Sequence, residues 1–203
     1  DDGSLRSAED RVVVVVGGTG ATIATFTENA TVKLGTLDIT STGARDVLFQ
    51  GSLADSGSGV ATLEFDGGPG LNGVSRVNIT TTVGGGEFEI SSFGGLQVRI
   101  GVETEFNVTT AGTTARINAP IIGSGVLEKL GAGTLLLGSS NTTFDGLMLI
   151  AGGTLYALNG GALGDGGVQI QNNAILRASG TVTARVGTQN GNTGTLGNGQ
   201  IIA

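Results

Sequence analysis

The chain has 203 residues, 38% of them hydrophobic but only 4% aromatic, with 39 glycines, two prolines and a net charge of −7. It contains no Cys and no His, which excludes a disulfide framework, a thiolate nucleophile, the usual zinc ligands and Ser-His-Asp chemistry. The acidic balance argues against nucleic acid and anionic membrane surfaces as partners. Glycine at this level would suit a disordered linker, but disorder also needs high charge and few β-branched residues. Only 13% of the chain is charged, and Val, Ile and Thr are abundant. Ordered β-structure with many tight turns fits.

The opening Asp1-Asp2-Gly3-Ser4-Leu5-Arg6 has no basic and apolar signal, so it reads as a mature N-terminus or a cut end. No purely apolar run is longer than that of Val12–Val16, far too short to span a bilayer as a helix. With Gly17-Gly18-Thr19-Gly20 after it, the run imitates a dinucleotide-binding turn. However, Ile23 stands at the third glycine position, the next residues are β-prone, and no βαβ unit follows. The better expectation is a strand within an N-terminal cap over residues 1–26, covering an otherwise open solenoid end.

Short period-two segments follow, cut by Gly, Asn, Ser and Asp: Thr31–Leu34, Ala61–Phe65, Glu87–Ile90, Leu96–Ile100, Thr134–Leu137 and Val168–Ile170. One set of alternate side chains is apolar in each, as in a strand with one buried face. Gly67-Gly68-Pro69-Gly70-Leu71-Asn72 faintly resembles a calcium nonapeptide, but it has Asn72 where Asp is needed and stands alone, so a simple turn is expected. Glu87 and Glu89 flank Phe88, and Glu64 and Asp66 flank Phe65. Paired carboxylates can hydrolyse glycosides, yet acids alternating with buried Phe are also what a solvent face looks like. Asn29, Asn78, Asn107 and Asn141 open formal glycosylation sequons, which arise by chance in a Thr-rich, Asn-rich chain.

Repetition chooses the architecture. Leu135, Leu155, Leu176 and Leu196 recur about every twenty residues, three of them in Gly-Thr-Leu triplets, and Leu127, Leu147 and Val168 keep a similar step. Two apolar series in constant phase imply stacked coils. The predicted fold is all-β: a right-handed parallel β-helix with three short strands per coil of about twenty residues. Nine or ten coils at the parallel-strand spacing would make a rod of about 45 Å. Asn172 and Asn173 could bond their amides up such a rod. Residues 1–203 read as one β-helix domain belonging to a longer protein, and Ile201-Ile202-Ala203 breaks off like the start of another strand.

Residues 125–155 carry a longer pattern. Gly125, Leu127, Lys129, Gly131, Gly133, Thr134, Leu135 and Leu137 lead into Asn141, Thr142, Phe144, Gly146, Gly152, Gly153, Thr154 and Leu155. This run resembles the passenger-associated transport repeat of bacterial autotransporter passengers, with Phe144 where the repeat has Tyr. Ala162-Leu163-Gly164 and Gly167-Val168 resemble its continuation. The resemblance implies a right-handed β-helix, secretion through an outer-membrane barrel, display on the extracellular side of the outer membrane, and a repeat that aids folding during secretion. The function expected is a non-catalytic structural or adhesive rod. Its partners would be itself, neighbouring surface proteins, or host or surface glycans. The alternatives are a self-assembling fibre subunit and a carbohydrate-active enzyme. No catalytic, cofactor-binding or metal-binding residue is assigned.

Overall fold

The period-two segments form strands because each buries one side-chain parity, and closing three strands into a coil points that parity inward. The computed structural model describes residues 11–27, 29–52, 59–67, 73–81, 86–141, 143–158, 160–171, 173–179, 182, 185–188 and 200–202. The first coil holds β1 (Arg11–Val16), β2 (Thr19–Phe26) and β3 (Thr31–Leu34). The second holds β4 (Thr36–Ser41), β5 (Ala44–Gly51) and β6 (Ala61–Phe65). The third holds β7 (Val74–Thr81), β8 (Phe88–Ile90) and β9 (Leu96–Ile100). The fourth holds β10 (Glu103–Val108), β11 (Thr114–Ile117) and β12 (Ile121–Ile122). Four further coils contribute two strands each: β13 (Val126–Leu130) and β14 (Thr134–Leu137), β15 (Leu147–Ile150) and β16 (Thr154–Ala157), β17 (Gly167–Ile170) and β18 (Ile175–Ala178), β19 (Arg185–Thr188) and β20 (Gln200–Ile202).

Every named ladder is parallel. They build two eight-stranded sheets, β1-β4-β7-β10-β13-β15-β17-β19 and β2-β5-β8-β11-β14-β16-β18-β20, and a four-stranded sheet, β12-β9-β6-β3. The fold is a parallel β-helix. The expected three strands per coil hold through β12. Beyond it, the third side continues through the isolated Gly123–Phe144 bridge and single bonds such as Asp165 N–H to Phe144 O at 2.9 Å.

The described residues form eight coils rather than nine or ten, which at the parallel-strand spacing gives a rod of about 38 Å. The shortfall comes from the N-terminal half. Leu127 pairs with Met148 and Met148 with Val168, close to the expected step, whereas Thr36 pairs with Arg76 across a much longer coil. Residues 11–26, the described part of the expected cap, are β1 and β2 and pair with β4 and β5.

Inner side chains stack in columns. Leu135, Leu155 and Leu176 do stack, but the next partner is Ile201 rather than Leu196, which lies outside the described residues. The second column runs Leu127, Met148, Val168, so the expected Leu147 is off by one and instead pairs with Val126. In the longer N-terminal coils the core uses several Phe side chains. Phe49 meets Phe26 and Phe88 edge-on at 5.7 and 5.6 Å, and Phe65 meets Phe106 at 5.7 Å.

Asparagine bonding up the rod occurs, though elsewhere than expected. Asn107 Nδ2 donates to Asn78 Oδ1 at 3.4 Å, and Asn78 Nδ2 to Asp38 Oδ1 at 2.8 Å. Asn173 is exposed in a left-handed turn at φ 60°, and Asn172 lies outside the described residues, as does most of the nonapeptide-like loop after Gly67.

Candidate functional site

Residues 125–155 concentrate the unusual chemistry. Lys129, one of only two lysines in the chain, sits on the inner parity of β13 and is fully buried. In its column it follows Leu37, Val77 and Phe106 and precedes Ile150 and Ile170, all apolar. A buried ammonium is costly unless its donors are satisfied. Here Nζ donates to the carbonyls of Leu130 at 2.5 Å, Gly131 at 3.0 Å and Gly152 at 3.2 Å. The first two acceptors belong to its own turn and the third to the next coil. Burial pushes the amine down to about 8. Gly131 can turn its carbonyl inward because it adopts φ 75°, which a side chain would oppose.

Asn141 is the second buried polar group. Its Oδ1 accepts the N–H of Ile121 at 2.9 Å, and its Nδ2 donates to the carbonyl of Ala162 at 2.6 Å. Its backbone N–H donates to Gly161 O at 2.8 Å, and its carbonyl accepts Phe144 N–H at 2.8 Å. One side chain thereby joins three successive coils just where the third sheet ends. Phe144, fully buried, fills the corner beneath.

Gly125, Gly146 and Gly166 form a close-approach ladder up the rod. A Cβ on Gly146 would collide with the carbonyl of Gly125 and lie 2.7 Å from the Phe144 ring, and a Cβ on Gly166 would collide with the carbonyl of Gly146. Gly146→Ala is therefore expected to destabilise the rod by about 2 kcal/mol, read as a lowered urea midpoint. An unchanged midpoint would show that the coils can part without cost.

The carboxylates singled out in the sequence lie on the outer faces, Glu64, Asp66 and Glu87 paired to bases and Glu89 to an amide. Arg116 forks onto Glu87, Nε to Oε2 at 2.8 Å and Nη2 to Oε1 at 3.1 Å, and holds that carboxyl below its usual range despite some burial. Glu89 accepts Asn118 Nδ2 at 2.9 Å. Lys33 lies 3.0 Å from Asp66 and 3.6 Å from Glu64, which Arg99 also approaches at 3.6 Å. Asp46, Glu87 and Glu89 share a shallow groove.

A trio that the sequence reading missed, Glu103, Glu105 and Glu128, brings carboxylate oxygens within 4.8 Å of one another. Burial, then Glu103 and Glu105, raise Glu128 above its usual range. These oxygens could meet a cation, although Arg76 already lies 2.9 Å from Glu105. Glu103-Thr104-Glu105 shows the i, i+2 signal, but Glu128 joins only through the register that sets it beside Glu105. No helix among the described residues is long and apolar enough to cross a membrane.

No family model matches the chain, and no solved structure matches it. A curated protein of Brucella suis biovar 1 (strain 1330), named "Adhesin BmaC autotransporter", is 33% identical over 132 residues, 63% of this chain. The matched stretch spans 4% of that much longer protein. The chain is a parallel β-helix with distant similarity to an autotransporter adhesin.

Proposed function

We propose that this chain is a non-catalytic segment of an extracellular β-helical rod of the autotransporter-adhesin type, displayed on the outer side of a bacterial outer membrane. In this reading residues 1–203 are one β-helix domain of a longer passenger, residues 125–155 its transport-repeat segment and residues 1–26 its N-terminal cap. The observation that carries it is the pair of eight-stranded parallel ladders in a chain distantly similar to an adhesin. Each coil contacts mainly its neighbours, so such a rod can fold coil by coil and hold its outer face away from the cell. That face, with its paired charges and amide ladders, would meet neighbouring surface proteins and host or surface glycans. Nucleic acid remains disfavoured by the net charge of −7.

Beads coated with the purified chain test the reading on host-cell monolayers, with and without glycosidase treatment. Retention several-fold above albumin-coated beads, competed by the soluble chain, is the expected result. Retention equal to albumin from a chain that is folded by circular dichroism would remove the adhesive role. Release of new reducing ends from a polysaccharide panel would overturn the non-catalytic one.

A second reading, self-association, is favoured by Val13, Val15 and Ile23 on the outer face of the first coil, which are 54, 68 and 55% exposed. Sedimentation velocity separates the two. Concentration-dependent growth that Val15→Lys abolishes would support self-association, and a monomer at all concentrations would dismiss it.

A further inference from the structure

The coil pair from β13 to β16 has a register problem. β15 reads Leu147-Met148-Leu149-Ile150, apolar at both parities, and β14 is Thr134 followed by three leucines. Hydrophobic pattern specifies register only where one parity is polar. A one-residue slip of β15 against β13 would exchange Met148 and Ile150 for Leu147 and Leu149 at nearly the same volume. The third sheet ends at β12, one coil earlier, and beyond it the entry to β15 is held by the Gly123–Phe144 bridge and the close approach of Gly146 to Gly125, both short of the strand itself.

We propose that Lys129 is the residue that sets this register. Its stem lies in the inner column between Phe106 and Ile150, and its ammonium binds two carbonyls of its own turn and one, Gly152 O, of the next coil. Gly152 follows Ile150 by two residues. Sliding β15 by one residue would carry that carbonyl about 3.3 Å along the strand and out of reach, leaving a buried ammonium short of an acceptor. Within the strand only the observed pairing satisfies the charge, while the apolar contacts are indifferent; Gly146, just before the strand, favours the same pairing. A buried polar group that costs stability but selects one pairing is a known physical device in other folds. The acceptors Leu130, Gly131 and Gly152 are half-buried, so water can take up their bonds when the ammonium is gone.

Lys129→Met in the full chain tests this. A single set of amide resonances for residues 147–157 is expected in the parent protein. In K129M the expectation is two sets, together with a Tm equal to or above the parent's. Adding Leu147→Glu, which a slipped strand would have to bury, should restore one set in the observed register. A single native-register set in K129M alone would overturn the proposal. So would a variant that fails to fold, since Lys129 would then carry stability and not register. Two sets that persist after L147E would likewise overturn it, because the second state would not be the slipped one.

Discussion

Replacing Asn141 with Leu is expected to lower the unfolding free energy by about 4 kcal/mol. The loss comes from its partners and not from the side chain's own volume. The Ile121 N–H and the Ala162 carbonyl lose their bonds to Asn141, and both residues are fully buried. An orphaned buried group costs about 1–3 kcal/mol, and two are created at once. The apolar gain of Leu offsets little, because the site is polar on both sides. Urea unfolding monitored at 218 nm reads the effect, with Asn78→Ala on the outer ladder as a control expected to cost under about 1 kcal/mol. A loss at Asn141 no greater than that control would mean the third side is held by Phe144 packing alone.

The stability of the rod should rise, not fall, as pH goes from about 8 to 10.5. The unfolded chain titrates Lys129 at its ordinary value of 10.5, and the folded chain at about 8. Between these values the unfolded state binds more protons, so raising the pH favours the fold. Below pH 8 both states carry the ammonium and stability is level at its lower value. Above 10.5 both are neutral and it is level again. The gain across the window is about 3 kcal/mol at 1.36 kcal/mol per unit. Lys33 acts in the opposite direction and a separate range. Asp66, through its hydrogen bond, and then the nearby carboxylate charges raise its amine above 10.5, so its contribution is present below 10.5 and is lost as pH climbs through that raised value. Urea midpoints at pH 7.5, 9 and 10.3 should climb in the parent and stay flat in K129M. A parent curve that falls over this span would place the ammonium in a solvated or anion-paired site.

The parts of this architecture legible in the sequence are those where one parity is polar. Ala61–Phe65 and Leu96–Ile100 alternate cleanly and stack as β6 and β9. The Leu135, Leu155 and Leu176 column was visible because each lies in a strand that turns set off clearly. Leu147 was mistaken for Met148 because a run of four apolar residues hides its own parity. Leu196 was mistaken for Ile201 because coil length varies, and the variation is invisible until the ladder is seen. Lys129 and Asn141 were visible as matched positions of the repeat, yet their burial was not. A lysine is expected in solvent unless carbonyls converge on it, and of the three that do, two depend on the inward turn at Gly131 and the third, Gly152 O, lies one coil away and twenty-three residues on in sequence. Glu128 joined its acidic neighbours for the same reason.

The ladders that build the rod also determine how it yields to a pull. Their hydrogen bonds run nearly along the long axis, so tension between the ends loads them one rung at a time instead of shearing a whole sheet at once. A coil of about twenty residues, peeled off and drawn out, releases roughly 70 Å of chain. A surface-anchored filament built this way would lengthen in small, repeated increments under flow, each dissipating work, and would rewind when the load eased. Extension should pause at the coils tied across by Lys129 and Asn141, which divide the rod into a readily paid-out part and a part that holds.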